Sequence, residues 1–214
     1  MSLEHTIGYG FLALFVIIDP VGTAAIFVGL TRGMTEAQSR RMAIRAVVIA
    51  GIILLFFAFT GDQLLRALGI GLPAFRMAGG SLLFLLAIEM VFAHQSGLRG
   101  LTETESREAV GSHDISVFPL AIPLIAGPGA LTTMVLLMGA TGNDWIAKLS
   151  VVAVLVMVLA LTLLLLLIAG QLIKLLGTTG VNVVSRVFGI LLAALAIQLV
   201  LEGIRDAFGL SLAL

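Results

Sequence analysis

Two stretches of this sequence combine groups that can bind a small ligand with residues that interrupt a helix. The first is Asp19–Thr23, and the second is Gly127–Thr133. Proline lacks a backbone donor and clashes with the preceding turn, so each stretch predicts an interruption followed by a new helix start. The N-terminus of a helix exposes unpaired N–H groups and a partial positive charge, which attract a carboxylate. Both stretches therefore predict ligand binding by backbone donors.

The candidate binding residues lie at these two helix starts, and one aspartate and three threonines among them carry a carboxyl or hydroxyl group. They are Asp19, Pro20, Val21, Gly22, Thr23, Gly127, Pro128, Gly129, Ala130, Thr132 and Thr133. Glycine lets a ligand approach the backbone closely, and neither stretch contains a large polar or aromatic residue. This composition favours a small zwitterion over a large ligand. The alternative is that proline and glycine only permit close helix packing.

Asp19 is the one carboxylate near the middle of a long apolar segment. A charge at that depth is costly, so an ionisable residue there is a functional hypothesis by default. Asp19 could take up a proton, face the ammonium group of a substrate, bind a cation, or only cap the helix that follows. Glu89 is a weaker candidate for proton coupling, because it is close to the predicted cytoplasmic end of its segment, where an interfacial location is expected.

The elements that carry these residues are predicted membrane spans. The chain is 60% hydrophobic and 11% charged, whereas soluble domains contain about 25% charged residues. Six segments reach the roughly 20 apolar residues that a membrane-spanning helix needs. They lie near Ile7–Leu30, Met42–Thr60, Pro73–Ala93, Ile115–Gly139, Leu149–Ile173 and Val183–Leu201. The expected fold class is an all-α membrane protein with six transmembrane helices, of which the first and fourth are broken.

Basic residues predict the orientation of these spans. Arginine and lysine in the loops after the first, third and fifth segments outnumber those in the opposite loops by seven to three. The positive-inside rule then places the first set of loops in the cytoplasm and both termini outside. The longest of these loops, residues 95–114, is predicted to be a cytoplasmic linker.

The two halves of the chain repeat one pattern at shifts of 108 to 110 positions. The matched pairs are Asp19-Pro20 with Gly127-Pro128, Arg76–Gly79 with Arg186–Gly189, and Ala87–Glu89 with Ala196–Gln198. Residues 1–94 and residues 115–214 then form two units of three helices each. Because three is an odd number, the second unit enters the membrane from the opposite side. Such inverted repeats are the plan of many secondary transporters, whose substrates bind near the midplane at discontinuous helices.

Three segments resemble the MarC family of bacterial and archaeal inner-membrane proteins. They are Ile18–Gly22, Arg76–Gly80 and Val117–Ala130, the last of which contains the specific run Phe-Pro-Leu-Ala-Ile-Pro. The resemblance covers nearly the whole chain. It implies a six-helix, multi-pass protein of the cytoplasmic membrane, of the neutral amino-acid transporter type, with some archaeal members linked to uptake of glycine and similar amino acids. It also implies a site at Asp19–Thr23 and Gly127–Thr133.

The expected function is therefore a secondary transporter of small neutral amino acids of the glycine and alanine class. Transport is expected to be coupled to protons and to proceed by alternating access around two half-helix N-termini. A channel or an exporter for another small solute is the alternative. The expected partners are the lipid bilayer, a small zwitterionic substrate, and a proton or a monovalent cation. The net charge of zero argues against nucleic acid as a partner.

Enzymatic activity is not expected, because the predicted spans contain no cysteine or histidine and only one central carboxylate. The sequence implies no metal, cofactor or prosthetic group. It does not determine the oligomeric state.

Overall fold

The computed structural model describes residues 3–92 and 115–209, so the predicted linker at 95–114 lies outside the described residues. In this part of the chain, seven α-helices and one wide-turn helical segment follow one another without a β-strand. The elements are α1 (Leu3–Ile18), α2 (Pro20–Leu30), α3 (Glu36–Ala67), α4 (Leu72–Phe92), the wide-turn segment α5 (Ser116–Ile125), α6 (Pro128–Ala140), α7 (Trp145–Leu167) and α8 (Ala169–Phe208).

Five stretches of the described chain are long and apolar enough to cross a membrane. They are Ile7–Leu30, which includes most of α1 and all of α2, and the single elements α3, α4, α7 and α8. A sixth span results if α5 and α6, which are bent by 58° relative to each other, cross together. The protein is therefore all-helical in the described residues, with five candidate spans or up to six.

The second predicted span begins earlier than expected. Met42 is the predicted start, but α3 begins at Glu36 because Thr35 and Gln38 form a capping box. The Gln38 N–H donates to the Thr35 hydroxyl oxygen at 3.3 Å, and the Thr35 N–H donates to the Gln38 side chain at 2.9 Å. These two bonds satisfy backbone donors that a helix start otherwise leaves unpaired.

The fifth predicted span ends earlier than expected. α7 ends at Leu167, because Ile168 leaves helical geometry (φ −102°, ψ 11°), so the predicted end at Ile173 is too late. α8 starts at Ala169 and contains a non-helical bend at Gly177 (φ 64°, ψ 173°). Glycine adopts this positive φ without the steric penalty of a side chain.

α4 and α8 form a closely packed antiparallel pair. Met77 near the start of α4 packs against Gly203 near the end of α8, whereas Met90 near the end of α4 packs against Gly189. At Gly80 the backbones approach so closely that an added Cβ would lie 2.8 Å from the Ala196 carbonyl oxygen. Small residues allow this approach in helix pairs that lack a hydrophobic driving force toward each other.

The two interrupted regions lie inside the bundle. α1 and α2 contact α7 and α8, whereas α5 contacts α3, and α6 contacts α3 and α4. Asp19 at the first interruption is 1% exposed, and Ala126 at the second is 2% exposed. Helices from both halves of the chain therefore pack around each interruption.

Replacing Gly80 with alanine should lower the free energy of unfolding by about 1–3 kcal/mol, the usual range for overpacking. The added Cβ would lie 2.8 Å from the Ala196 carbonyl oxygen, which belongs to the backbone and cannot rotate away. Gly29→Ala is the control, because nothing lies within 4 Å of its added Cβ. Thermal unfolding of both purified variants in detergent checks this, and equal transition temperatures would contradict the close α4–α8 approach.

Candidate functional site

Asp19 alone forms the junction between α1 and α2. Its backbone lies in the left-handed region (φ 43°, ψ 72°), where residues other than glycine are strained by about 1–2 kcal/mol. Aspartate tolerates this conformation because its short side chain can bond locally, and here Oδ1 accepts a hydrogen bond from the Gly22 N–H at 3.1 Å. Pro20 takes the first helical position, where its missing N–H has no cost. These residue types explain why the helix stops and restarts here.

The second carboxylate oxygen of Asp19 connects this junction to α8. The Ser185 hydroxyl donates to Oδ2 at 3.2 Å. A side chain on Gly22 would overlap the Asp19 carboxylate and come within 3.1 Å of Ser185 Oγ, so glycine is required for this arrangement. The Thr23 hydroxyl donates to the Ile18 carbonyl at 2.9 Å and so joins the start of α2 to the end of α1. The buried carboxylate is thus held by donors from two different helices.

The second interrupted region begins with α5, whose turns are wider than those of an α-helix. Its backbone hydrogen bonds span five residues, as in the bond from the Ala126 N–H to the Ala121 carbonyl at 2.8 Å. Phe118 and Ile122, which each precede a proline, have extended backbone angles, as the residue before a proline favours. The peptide bonds that follow these two residues are cis.

α6 begins at Pro128 without a side-chain cap among the described residues. Gly127 occupies the cap position with an extended backbone (φ −77°, ψ 170°) and has no side chain that could accept a hydrogen bond. Helical geometry leaves the N–H groups of Gly129 and Ala130 without an acceptor inside the helix. The start of α6 therefore differs from the start of α2, where the carboxylate of Asp19 supplies the acceptor.

A small cavity lies between the end of α1, α4 and the second interrupted region. Its lining includes Ile17 near the end of α1, Leu86 of α4, and residues between Pro123 and Ala130. Gly129 lies against Ile17, since an added Cβ would come within 3.3 Å of Ile17 Cγ2. The cavity volume is about 20 Å³, which is room for about one water molecule. An amino acid can enter only if the surrounding helices separate.

The predicted site residues fall into distinct places. Asp19, Pro20, Val21, Gly22 and Thr23 form the α1–α2 junction and the start of α2, and Gly127, Pro128, Gly129 and Ala130 line the cavity. The two threonines further along α6 are buried but are not among the residues that line the cavity. Thr132 packs against Gly79 of α4. The hydroxyl of Thr133 has no hydrogen-bond partner within residues 3–92 and 115–209.

Glu89, near the end of α4, is buried inside the protein. It is 8% exposed, because α4 packs against α8 along its length, as at the neighbouring Met90. Its Oε2 atom has no hydrogen-bond partner among the described residues. The interfacial position expected from the distance to the segment end stays a prediction, whereas the burial of this side chain was not predicted.

Ser185 is the site residue that the sequence analysis missed. It lies 166 positions after Asp19, and no motif joins the two residues. The one available signal is that Ser185 directly precedes Arg186–Gly189, a segment of the internal repeat.

Comparison with known proteins gives a consistent result. A family model described as "MarC family integral membrane protein" matches residues 4–208. A UPF0056 membrane protein of Aquifex aeolicus is 34% identical over 196 residues, which cover 92% of this chain and 91% of the relative. The UPF0056 membrane protein YvbG of Bacillus subtilis is 33% identical over 201 residues, with 92% and 93% covered. The UPF0056 membrane protein YhcE of Escherichia coli is 34% identical over 198 residues, with 92% and 91% covered. No solved structure matches the chain.

Replacing Ser185 with alanine should lower the free energy of unfolding by about 1–3 kcal/mol, because a buried carboxylate oxygen loses a donor. Ser81→Ala is the matched control, since the exposed Ser81 hydroxyl donates to the Met77 carbonyl of its own helix. Ser185→Thr keeps a hydroxyl and should recover part of the loss. The check is unfolding of all three variants in one detergent; equal effects of the two alanine substitutions would remove Ser185 from the site.

Proposed function

The chain belongs to the MarC family of integral membrane proteins, and on that premise we propose that it is a secondary transporter of small neutral amino acids of the glycine and alanine class. The observation that carries this proposal is a cavity that is lined by the start of α6 and by Ile17, which lies two positions before the α1–α2 junction. One region supplies a buried carboxylate, and the other supplies uncapped backbone donors. A zwitterion has the matching groups, an ammonium and a carboxylate.

The two regions have different roles in this proposal. The first turn of α2 already donates to the carboxylate of Asp19, so it is a poor site for a second anion. The first turn of α6 has no side-chain cap in the described chain and lines the cavity. The substrate carboxylate therefore binds the N–H groups of Gly129 and Ala130, where the helix dipole adds attraction. Asp19 is not among the residues that line the cavity, so we assign its buried carboxylate to the substrate ammonium in the opened arrangement.

The proposal includes the inverted repeat, which the helix contacts support. The repeat pairs α1 with α5, α2 with α6, α3 with α7, and α4 with α8. A contact between two helices should then have a counterpart between their two repeat partners, and several observed contacts do. The corresponding contacts are α1–α7 with α3–α5, α2–α8 with α4–α6, α2–α7 with α3–α6, and α1–α6 with α2–α5. A two-fold relation between the halves requires correspondence of this kind.

The α4–α8 pair adds support at the level of single residues. Gly80 would present an added Cβ at 3.2 Å from Leu199 Cβ, and Gly189 would present one at 2.8 Å from Met90 Cβ. Gly80 and Gly189 are 109 positions apart in the sequence, as are Met90 and Leu199. The two contacts are therefore reciprocal under the repeat shift, which is the property of an isologous interface.

Transport then proceeds by movement of one repeat against the other. The cavity of about 20 Å³ is too small for an amino acid, so the closed arrangement must open toward one side at a time. We assign proton coupling to Asp19, with Glu89 as the second candidate, because Leu86 lies one turn before Glu89 on α4 and lines the cavity. The orientation proposed from the basic residues places both termini outside the cytoplasmic membrane.

Liposomes that contain the purified protein should take up glycine and alanine with saturable rates, and an inwardly directed proton gradient should raise the initial rate. Asp19→Asn should abolish the gradient response and lower uptake about tenfold or more, the factor that corresponds to losing a contact worth about 1.5–3 kcal/mol. Asp62→Asn is the matched control, because Asp62 is an exposed carboxylate that pairs with Arg66 on the same helix. The measurement is initial uptake of radiolabelled substrate.

A different outcome of this uptake assay would contradict each part of the proposal. Absence of uptake across a panel of neutral amino acids would contradict the substrate class. Uptake that ignores the proton gradient would remove proton coupling, and a response to a sodium gradient instead would assign a monovalent cation. Flux that does not saturate would indicate a channel. A wild-type gradient response in Asp19→Asn would reject the role given to that carboxylate.

A further inference from the structure

We propose that Arg76, Glu202 and Asp206 form an outer gate, an ion cluster that must break when the binding site opens to the outside. We call these three residues the α4–α8 ion cluster. The inference rests on the proposed transport function and concerns the regulation of access to the same site. Arg76 belongs to the first half of the chain and the two carboxylates to the second half, so a movement between the halves separates their charges.

The geometry of the α4–α8 ion cluster is that of a strong interaction. Arg76 Nη1 lies 2.7 Å from Asp206 Oδ2 and 3.5 Å from Glu202 Oε2. The Arg76 side chain is 15% exposed and the side chains of Glu202 and Asp206 are 28% and 35% exposed, compared with 79% and 46% for Arg66 and Asp62. Exposed pairs contribute little because water screens them, so the half-buried cluster should contribute more than the Arg66–Asp62 pair. The cluster is therefore suited to hold two helices together.

Neighbouring groups extend the cluster to a third helix. Gln198 Nε2 donates to Glu202 Oε1 at 3.1 Å, which orients the carboxylate from the same helix. Tyr9 of α1 lies within electrostatic range of both Glu202 and Arg76. The cluster thus joins the start of α1, the start of α4 and the end of α8. All three are on the predicted outer side of the membrane.

The cluster lies between the outer solution and the candidate site. Tyr9 precedes Asp19 by ten positions on α1, which corresponds to about 15 Å along a helix. This distance is about half of the hydrocarbon thickness of a bilayer. A ligand that enters from the outside along α1 therefore has to pass the cluster before it reaches the α1–α2 junction.

The arginine that corresponds to Arg76 in the second repeat has no such ion cluster within residues 3–92 and 115–209. Arg76 corresponds to Arg186, which is exposed near the predicted inner side. At the shift of 110 that pairs these two arginines, Glu202 and Asp206 correspond to Phe92 and Ser96, which have no charge. Arg186 therefore has no carboxylate at the positions that correspond to Glu202 and Asp206. An ion cluster at one end of an otherwise repeated structure favours conformations that are closed on the outside.

Cysteine accessibility tests the gate without requiring transport, because the native chain contains no cysteine. Ala13→Cys is the reporter, since Ala13 is 3% exposed and lies four positions after Tyr9, on the same face of α1. In intact cells, a membrane-impermeant maleimide should label this cysteine slowly. Adding Arg76→Gln, or Glu202→Gln with Asp206→Asn, should accelerate labelling about tenfold, as expected for a shift of about 1.4 kcal/mol in the open–closed equilibrium.

Matched controls separate the gate from general loosening. Arg66→Gln removes an arginine from an exposed pair within α3 and should leave the labelling rate of Ala13→Cys unchanged. Arg76→Lys keeps a positive charge beside Glu202 and Asp206 and should label more slowly than Arg76→Gln. Asn143→Cys, exposed between α6 and α7, should label fully, and Ala37→Cys, exposed at the start of α3, should stay unlabelled.

Three results would overturn the proposal. The first is rapid labelling of Ala13→Cys when the cluster is intact, and the second is no acceleration when its charges are removed. The third is labelling of Ala37→Cys but not Asn143→Cys, which would put the cluster on the inner side. None of these results depends on substrate uptake, so failure of the gate and failure of the transport proposal remain distinguishable.

Discussion

The constraint on which this structure depends is that a helix interrupted inside a membrane must satisfy its backbone groups without water. The chain meets this requirement in two different ways. At the first interruption, the carboxylate of Asp19 accepts from the Gly22 N–H and from the Ser185 hydroxyl. At the second, Gly127 provides no side chain, and the start of α6 borders a small cavity. One helix start is thus capped by a side chain, whereas the other has no side-chain cap among the described residues.

The proposed inverted repeat gives these differences a functional meaning. In this proposal, the departures from two-fold symmetry give the two interrupted regions different roles. Aspartate in one copy and glycine in the other would separate a site for an ammonium from a site for a carboxylate. In the same way, the carboxylates of the α4–α8 ion cluster have uncharged counterparts in the other copy, which distinguishes the outer end of the transport path from the inner end.

Local sequence features predicted the parts of the structure that local interactions determine. The all-α class followed from long apolar segments, since the apolar run of a helix is a property of its own residues. The early start of α3 depends on Thr35 and Gln38, which form a capping box. These two residues precede the apolar run, so the length of that run does not reveal where the helix begins. Ser185, by contrast, reaches Asp19 only through the packing of α8, and the burial of Glu89 depends on contacts between α4 and α8. Single-sequence patterns do not encode such long-range contacts directly.

The most direct test of the central claim is to locate a bound substrate at the start of α6. Pro128-Gly129 is the one Pro-Gly pair in the sequence, so labelling proline carbonyl carbons and glycine nitrogens isolates the Gly129 amide in a solid-state NMR spectrum of the protein in liposomes. Added glycine with a ¹³C-labelled carboxylate should shift this amide signal and show a dipolar contact within hydrogen-bonding range. A protein that transports glycine but shows neither effect at Gly129 would contradict the claim.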